Sequence, residues 1–185
     1  MELHNYYNNL INTGAVGYPC YKYLHDQGDP ATTNMIGNYG TEKKFIYQGQ
    51  PGGRISLIRI LVSIRDNANF DADKYGAATI LDTGQGEGIK LSVWDDTGEL
   101  YRLDGDLLIA SNADWAQLAF DTNYVSVGQG SNFWKARKTF TRGGGPVWLK
   151  PNEYFCATLK GDFSGLTAHR ILGQGRFIPE KYFVH

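Results

Sequence analysis

The side chains able to do chemistry in this 185-residue chain are few and scattered. None of the four histidines, His4, His25, His169 and His185, is paired at i, i+2 or i, i+4, the spacings that aim two imidazoles at one metal. His169 falls in an expected strand, where a lone histidine reads as hydrogen-bonded or surface-facing rather than catalytic. Cys20 and Cys156 lie too far apart for a Cys-x-x-Cys clip and read as reduced packing residues, which makes a reducing cytoplasm the simplest setting for assembly. No Gly-x-Ser-x-Gly elbow presents a nucleophilic serine. Gly84-Gln85-Gly86-Glu87-Gly88 has the glycines of a phosphate loop, but no Gly-Lys-Ser/Thr ending and no following helix dipole. It reads as a loop before a strand.

One acidic cluster, with Asp66, Asn69, Asp71 and Asp73, offers the oxygen ligands that a hard cation takes. Gly76 comes late and Glu87 is distant from an EF-hand pattern, so the expectation is a solvated Asx-turn loop and no metal. Paired carboxylates for glycoside hydrolysis need only meet in space, and no pair stands out. Trp94, Trp115, Trp134 and Trp148 have the ring size to stack on sugars as in a carbohydrate-binding module, or to fill a core or interface; the second is the expectation. The residues therefore point to a chain that is not an enzyme and needs no cofactor.

Eighteen Lys and Arg face nineteen Asp and Glu, a net charge of −1, which argues against an electrostatic nucleic-acid binder. Ile55 to Ile64 is the most apolar stretch, and Ser56, Arg59 and Ser63 make it too polar and too short to cross a bilayer. Met1 to Asn5 shows neither the basic nor the apolar region of a secretory leader. Glycine and tyrosine are in excess, at 23 and 12 residues. Such a composition suits many short strands punctuated by turns.

Those strands are legible from residue 43 onward. Ser56, Ile58, Ile60, Val62 and Ile64 are expected on one face of a strand, with Leu57, Arg59, Leu61, Ser63 and Arg65 on the other. Ile89, Leu91 and Val93 alternate with Lys90, Ser92 and Trp94, and Asp95-Asp96-Thr97-Gly98 supplies turn chemistry for a hairpin returning through Leu103. Further strands are expected over 107–110, 124–128, 133–141, 146–150, 153–160 and 167–178, with one short helical turn around Trp115. Eight to ten strands at near-regular spacing predict an all-β, antiparallel β-sandwich of jelly-roll type.

Residues 1–42 differ. They carry no arginine and hold six of the tyrosines, Tyr6, Tyr7, Tyr18, Tyr21, Tyr23 and Tyr39, among glycines and prolines that interrupt any period. Tyrosine offers a large contact with a polar tip, so the segment reads either as an adhesive arm lying on another protein or as a strand or two packed on the chain's own sheet. The division carried forward is an irregular N-terminal arm over 1–42 and a sandwich over 43–185. Deleting residues 1–40 is then expected to leave the sandwich folded and weaken assembly.

Arg65-Asp66-Asn67-Ala68-Asn69-Phe70-Asp71-Ala72-Asp73-Lys74-Tyr75-Gly76, Asn112-Ala113-Asp114-Trp115, Phe140 to Leu149 and Asp162-Phe163-Ser164-Gly165-Leu166-Thr167-Ala168-His169 occur in that order. In that order they resemble the small structural proteins of tailed bacteriophages, across residues 43–178. The resemblance implies a β-sandwich virion component, assembled in the host cytoplasm. It would act as a capsid decoration or cement protein, or as part of the tail, fibre or baseplate. Its partners would be copies of itself, as a homo-oligomer such as a trimer, and the major capsid protein or neighbouring virion proteins. Nucleic acid and membrane are not expected as partners.

Overall fold

The computed structural model of the chain describes residues 16–66, 86–105, 108–110, 112–126, 132–143 and 145–183. Eleven strands are defined there: β1 (Tyr18–Tyr23), β2 (His25–Asp26), β3 (Asn38–Gln48), β4 (Gly53–Asp66), β5 (Gly88–Asp95), β6 (Gly98–Arg102), β7 (Asp121–Ser126), β8 (Asn132–Thr139), β9 (Val147–Leu149), β10 (Tyr154–Asp162) and β11 (Ala168–Pro179). One short helix, α1 (Asn112–Gln117), carries Trp115. All strand pairs are antiparallel.

Sheet A runs β1-β11-β4-β8-β7, with β9 also on β4, and sheet B runs β2-β3-β10-β5-β6. Eight of these strands, β1-β11-β4-β8 and β3-β10-β5-β6, form the two interlocked four-stranded sheets of a jelly roll. The predicted all-β sandwich is therefore the fold. Both inner faces feed one core: Ile60, Val62 and Ile64 from β4 meet Phe45 and Tyr47 from β3, Leu91 and Val93 from β5, and Phe155 and Leu159 from β10. Trp115 of α1 plugs one end, edge-on to Phe120 at 4.7 Å between ring centroids and 5.7 Å from Trp134.

Two expectations are corrected. First, β4 does not keep one phase. Opposite β11 its register shifts between Arg59 and Leu57, leaving Ile58 as the extra residue of a bulge. The inner face is therefore Ile55, Leu57, Ile60, Val62 and Ile64, and Ile58 stays half-exposed. Second, the boundary at 42/43 falls inside β3, and residues 18–42 are woven into the sandwich. β1 pairs with β11 over six residues, Leu24 and Met35 are fully buried, and Met35 donates its backbone N–H to His169 O at 2.7 Å. A Tyr-rich segment can be both strand and surface because tyrosine packs one ring face and leaves its tip wet.

Close approach between the sheets depends on Gly173 of β11. A Cβ built there would lie 2.5 Å from the Tyr47 ring, and the Tyr47 hydroxyl, 3.2 Å from Cys20 Sγ, holds that ring in place. Gly173→Ala is expected to cost about 1–3 kcal/mol by overpacking, read as a lower urea midpoint. The expected fate of the 1–40 deletion is also reversed: without β1, Leu24 and Met35 it loses an outer strand and core volume. It should lose cooperative unfolding by circular dichroism, whereas a chain starting at residue 16 keeps every described element.

Candidate functional site

Strand β1 forms the outer edge of sheet A. Its sequence, Tyr-Pro-Cys-Tyr-Lys-Tyr, combines strand-favouring aromatics with Pro19, which an edge tolerates because one side of the strand needs no donor. Its start is held by Arg176, whose Nη2 donates to Gly17 O at 2.9 Å and whose Nε donates to Val16 O at 3.2 Å. Gly17 has φ +92° and lies so close to Phe177 O that a side chain would not fit there. Cys20 turns inward to Tyr47, while Tyr18, Tyr21 and Tyr23 are 67%, 64% and 43% exposed. The other exposed large apolar side chains among the described residues are Leu100 and Tyr101, so β1 concentrates this kind of surface.

Of the devices that blunt natural edge strands, β1 carries Pro19 and Lys22. Natural edge strands are blunted by charges, bulges or a covering element, because unpaired N–H and C=O groups invite another strand. β1 carries one charged residue, Lys22, in six, and its second edge pairs with no described strand. Of the other predicted contact tyrosines, Tyr39 is part of the fold. Its hydroxyl donates to Ile36 O at 3.0 Å and its ring packs on Phe45 and Phe163. Tyr6 and Tyr7 lie outside the described residues.

Asn69, Asp71 and Asp73 lie outside the described residues, and Asp66 closes β4. Among the described residues no group of three His, Cys, Asp or Glu side chains is arranged to hold a metal. Both cysteines are free thiols, and burial raises both pKa values, that of Cys156 to about 11. Trp115 and Trp134 are in the core, Trp94 is half-buried with Lys44 Nζ 3.3 Å from its ring centre, and Trp148 is half-buried edge-on to Phe183. No tryptophan presents an open ring platform. A cleft of about 620 Å³ opens beside Tyr101, Phe120, Lys138, Phe140 and Val147. Its Lys138 ammonium donates to Leu118 O, and its Asp121 pairs with Arg137 at 3.0 Å.

Two of the motifs quoted above make local turns and caps, while residues 67–76 of the first lie outside the described residues. Asp114 accepts from Ala110 N at 2.8 Å across the start of α1, and Asp162 accepts from Ser164 N at 2.9 Å in the turn that sends Phe163 into the core. Reading the chain linearly missed one feature, the collection of Arg59, Arg65, Lys135, Arg137 and Arg170 on the outer face of sheet A. The signal was cations alternating with core residues in three strands, but only their pairing makes it a patch. No family model, curated protein or solved structure matches this chain.

His169 is fully buried, stacked on Phe163 at 5.8 Å, and burial pushes its pKa down to about 4. An unfolded histidine takes its proton near pH 6.5, so below that pH the unfolded chain binds the extra proton first. Stability should fall by about 3 kcal/mol between pH 6.5 and 4 on account of this group. The turn carboxylates Asp29, Asp95 and Asp162 have lowered pKa values, and their contribution is lost only as pH falls below the ordinary carboxylate value. Urea unfolding at pH 7.5 and pH 4.5 should therefore show a drop that His169→Leu largely removes.

Proposed function

We propose that this chain is a structural protein of a tailed-phage virion, a capsid decoration or cement protein that binds the major capsid lattice and stabilises the head. The observation that carries this reading is the edge strand β1, with Tyr18, Tyr21 and Tyr23 exposed along a strand whose outer side pairs with no described strand. Tyrosine-rich, preorganised surface costs little side-chain entropy on binding and is enriched where proteins meet. Repetition over a lattice multiplies contacts that are individually modest. The jelly roll supplies a rigid body, and the ordered motifs that resemble phage structural proteins supply the setting. The half-buried or buried state of all four tryptophans favours this reading over a carbohydrate-binding module.

In this reading the chain is not an enzyme, carries no cofactor, and associates with itself and with its lattice partner. Immunogold labelling of virions from the encoding phage, with antibody against this chain, should decorate heads. Labelling confined to the tail would move the protein to a tail, fibre or baseplate role, and unlabelled virions would end the virion reading. A Tyr18→Ser/Tyr21→Ser/Tyr23→Ser chain should keep its melting temperature within a few degrees and lose at least tenfold in attachment to heads stripped of the native protein.

A further inference from the structure

The cleft of about 620 Å³ takes its walls from β6 and β7, the end strands of the two sheets, from the end of β8, and from the turn after α1. Its volume lies within the range of about 300–1,000 Å³ typical of small-molecule sites. Leu103, Phe120, Phe140, Pro146 and Val147 give it an apolar lining. Three side chains bring polar groups to it. The Thr139 and Tyr101 hydroxyls hydrogen-bond to no described residue. Lys138 spends one of its three ammonium hydrogens on Leu118 O and lies 5.4 Å from the centre of the Phe120 ring. Among the described residues it is in no ion pair. The carboxylates nearby are engaged elsewhere, Asp104 with Arg102 at 2.8 Å and Leu91 N at 2.7 Å, and Asp121 with Arg137 at 3.0 Å. Burial lowers the Lys138 pKa, and the Asp104 charge opposes that shift in part. The wall beside it is strained. At the end of α1, Phe120 N donates to Trp115 O at 3.0 Å, and Ala119 takes the left-handed position of the turn at φ 57°, where glycine is the favoured residue. Strain of this kind concentrates at ligand sites, and Ala119 lines the cleft.

We infer that this cleft binds a small aromatic monocarboxylate, its ring against Phe120, Phe140 and Val147 and its carboxylate on the Lys138 ammonium, with the Thr139 and Tyr101 hydroxyls as further donors. An ammonium can only donate, and hydroxyls donate readily, so the three groups suit a ligand head that accepts hydrogen bonds. A partly desolvated ammonium without a carboxylate partner gains more from an anion than an exposed lysine does, because the surrounding dielectric is lower. A cationic head would meet like charge, and a neutral one would leave the ammonium without a counter-charge. A polyphosphate would bring charges that one lysine does not match and would leave the apolar lining unused. The ligand body is assigned by the same reasoning. Phe120 and Phe140 are buried, while Tyr101 is 45% exposed and offers ring surface that a bound aromatic group would cover. No residue of β1 lines this cleft, so binding here is independent of the virion reading.

The test is calorimetric titration of the full chain at neutral pH with naphthylacetate, neutral naphthylacetamide and cationic naphthylethylamine, which place three heads on one ring system. Naphthylacetate should bind about tenfold more tightly than the amide, as a charge-assisted hydrogen bond to a part-buried ammonium implies, and the amine should bind most weakly. Lys138→Met should bring naphthylacetate and the amide to equal affinity, whereas Lys138→Arg should keep the preference. Tyr101→Ser should weaken both. If Lys138→Met fails to fold, the native chain decides: amide resonances shifted by naphthylacetate in an isotope-labelled sample should centre on Ala119, Thr139 and Gly145. Four results would each overturn the inference. They are an amide or amine that binds as tightly as naphthylacetate, a preference that survives Lys138→Met, shifts centred away from the cleft, and no heat from naphthylacetate at millimolar concentration.

Discussion

Everything in this molecule depends on the last two long strands entering sheets begun by earlier ones. β11 is hydrogen-bonded on both edges, to β1 and to β4, and β10 is likewise held between β3 and β5. Until they arrive, β1 has no sheet to join and the inner faces of β3, β4 and β5 have nothing to close them. The ladder that β11 completes is long, from Ala168 opposite Arg65 to Pro179 opposite Gly53, and its inward residues His169, Ile171 and Gly173 are all buried. The same strands satisfy backbone pairing and apolar burial, and their contacts are largely non-local.

The surface chemistry follows from that insertion. Because β11 separates β1 from β4, β1 is left as an outer strand, and its tyrosines line an edge rather than a centre. Because β11 also brings Arg170 level with Ser63 and Lys135, cations from distant parts of the chain share one face. The inner side of the same strand carries the constraint in the other direction. His169 is kept neutral by burial, and Gly173 is small because Tyr47 lies on it. One strand thus links the pH sensitivity of the core, the spacing of the sheets and the placement of Arg170 on the outer face.

Much of this was legible residue by residue. The β5–β6 hairpin was readable because Asp95 makes its turn locally, accepting from Thr97 N at 2.8 Å and Gly98 N at 3.2 Å. Inward Ile89, Leu91 and Val93 were readable because that strand keeps a period of two. β4 was half readable: its length and apolar character were evident, but the bulge at Ile58 reverses the phase, and a bulge is set by the partner strand's register. Tyr39 could not be told apart from the exposed tyrosines for a related reason. Exposed and buried tyrosines look alike until Phe45 and Phe163 are placed beside one of them.

Local information was sufficient for the strand-rich class, the turns, the lack of a histidine or cysteine pair at a ligand spacing, and the concentration of tyrosine near the start of the chain. Those properties depend on residue type and on neighbours a few positions away, where sterics and alternation act directly. Tertiary pairing alone settled that residues 18–42 belong to the sandwich, that Tyr18, Tyr21 and Tyr23 are exposed while Tyr39 is not, and that basic residues of three strands share one face. Charge and exposure at a surface are sums over residues that meet in space. Arg59, Lys135 and Arg170 become neighbours only when β11 and β8 close on the two sides of β4.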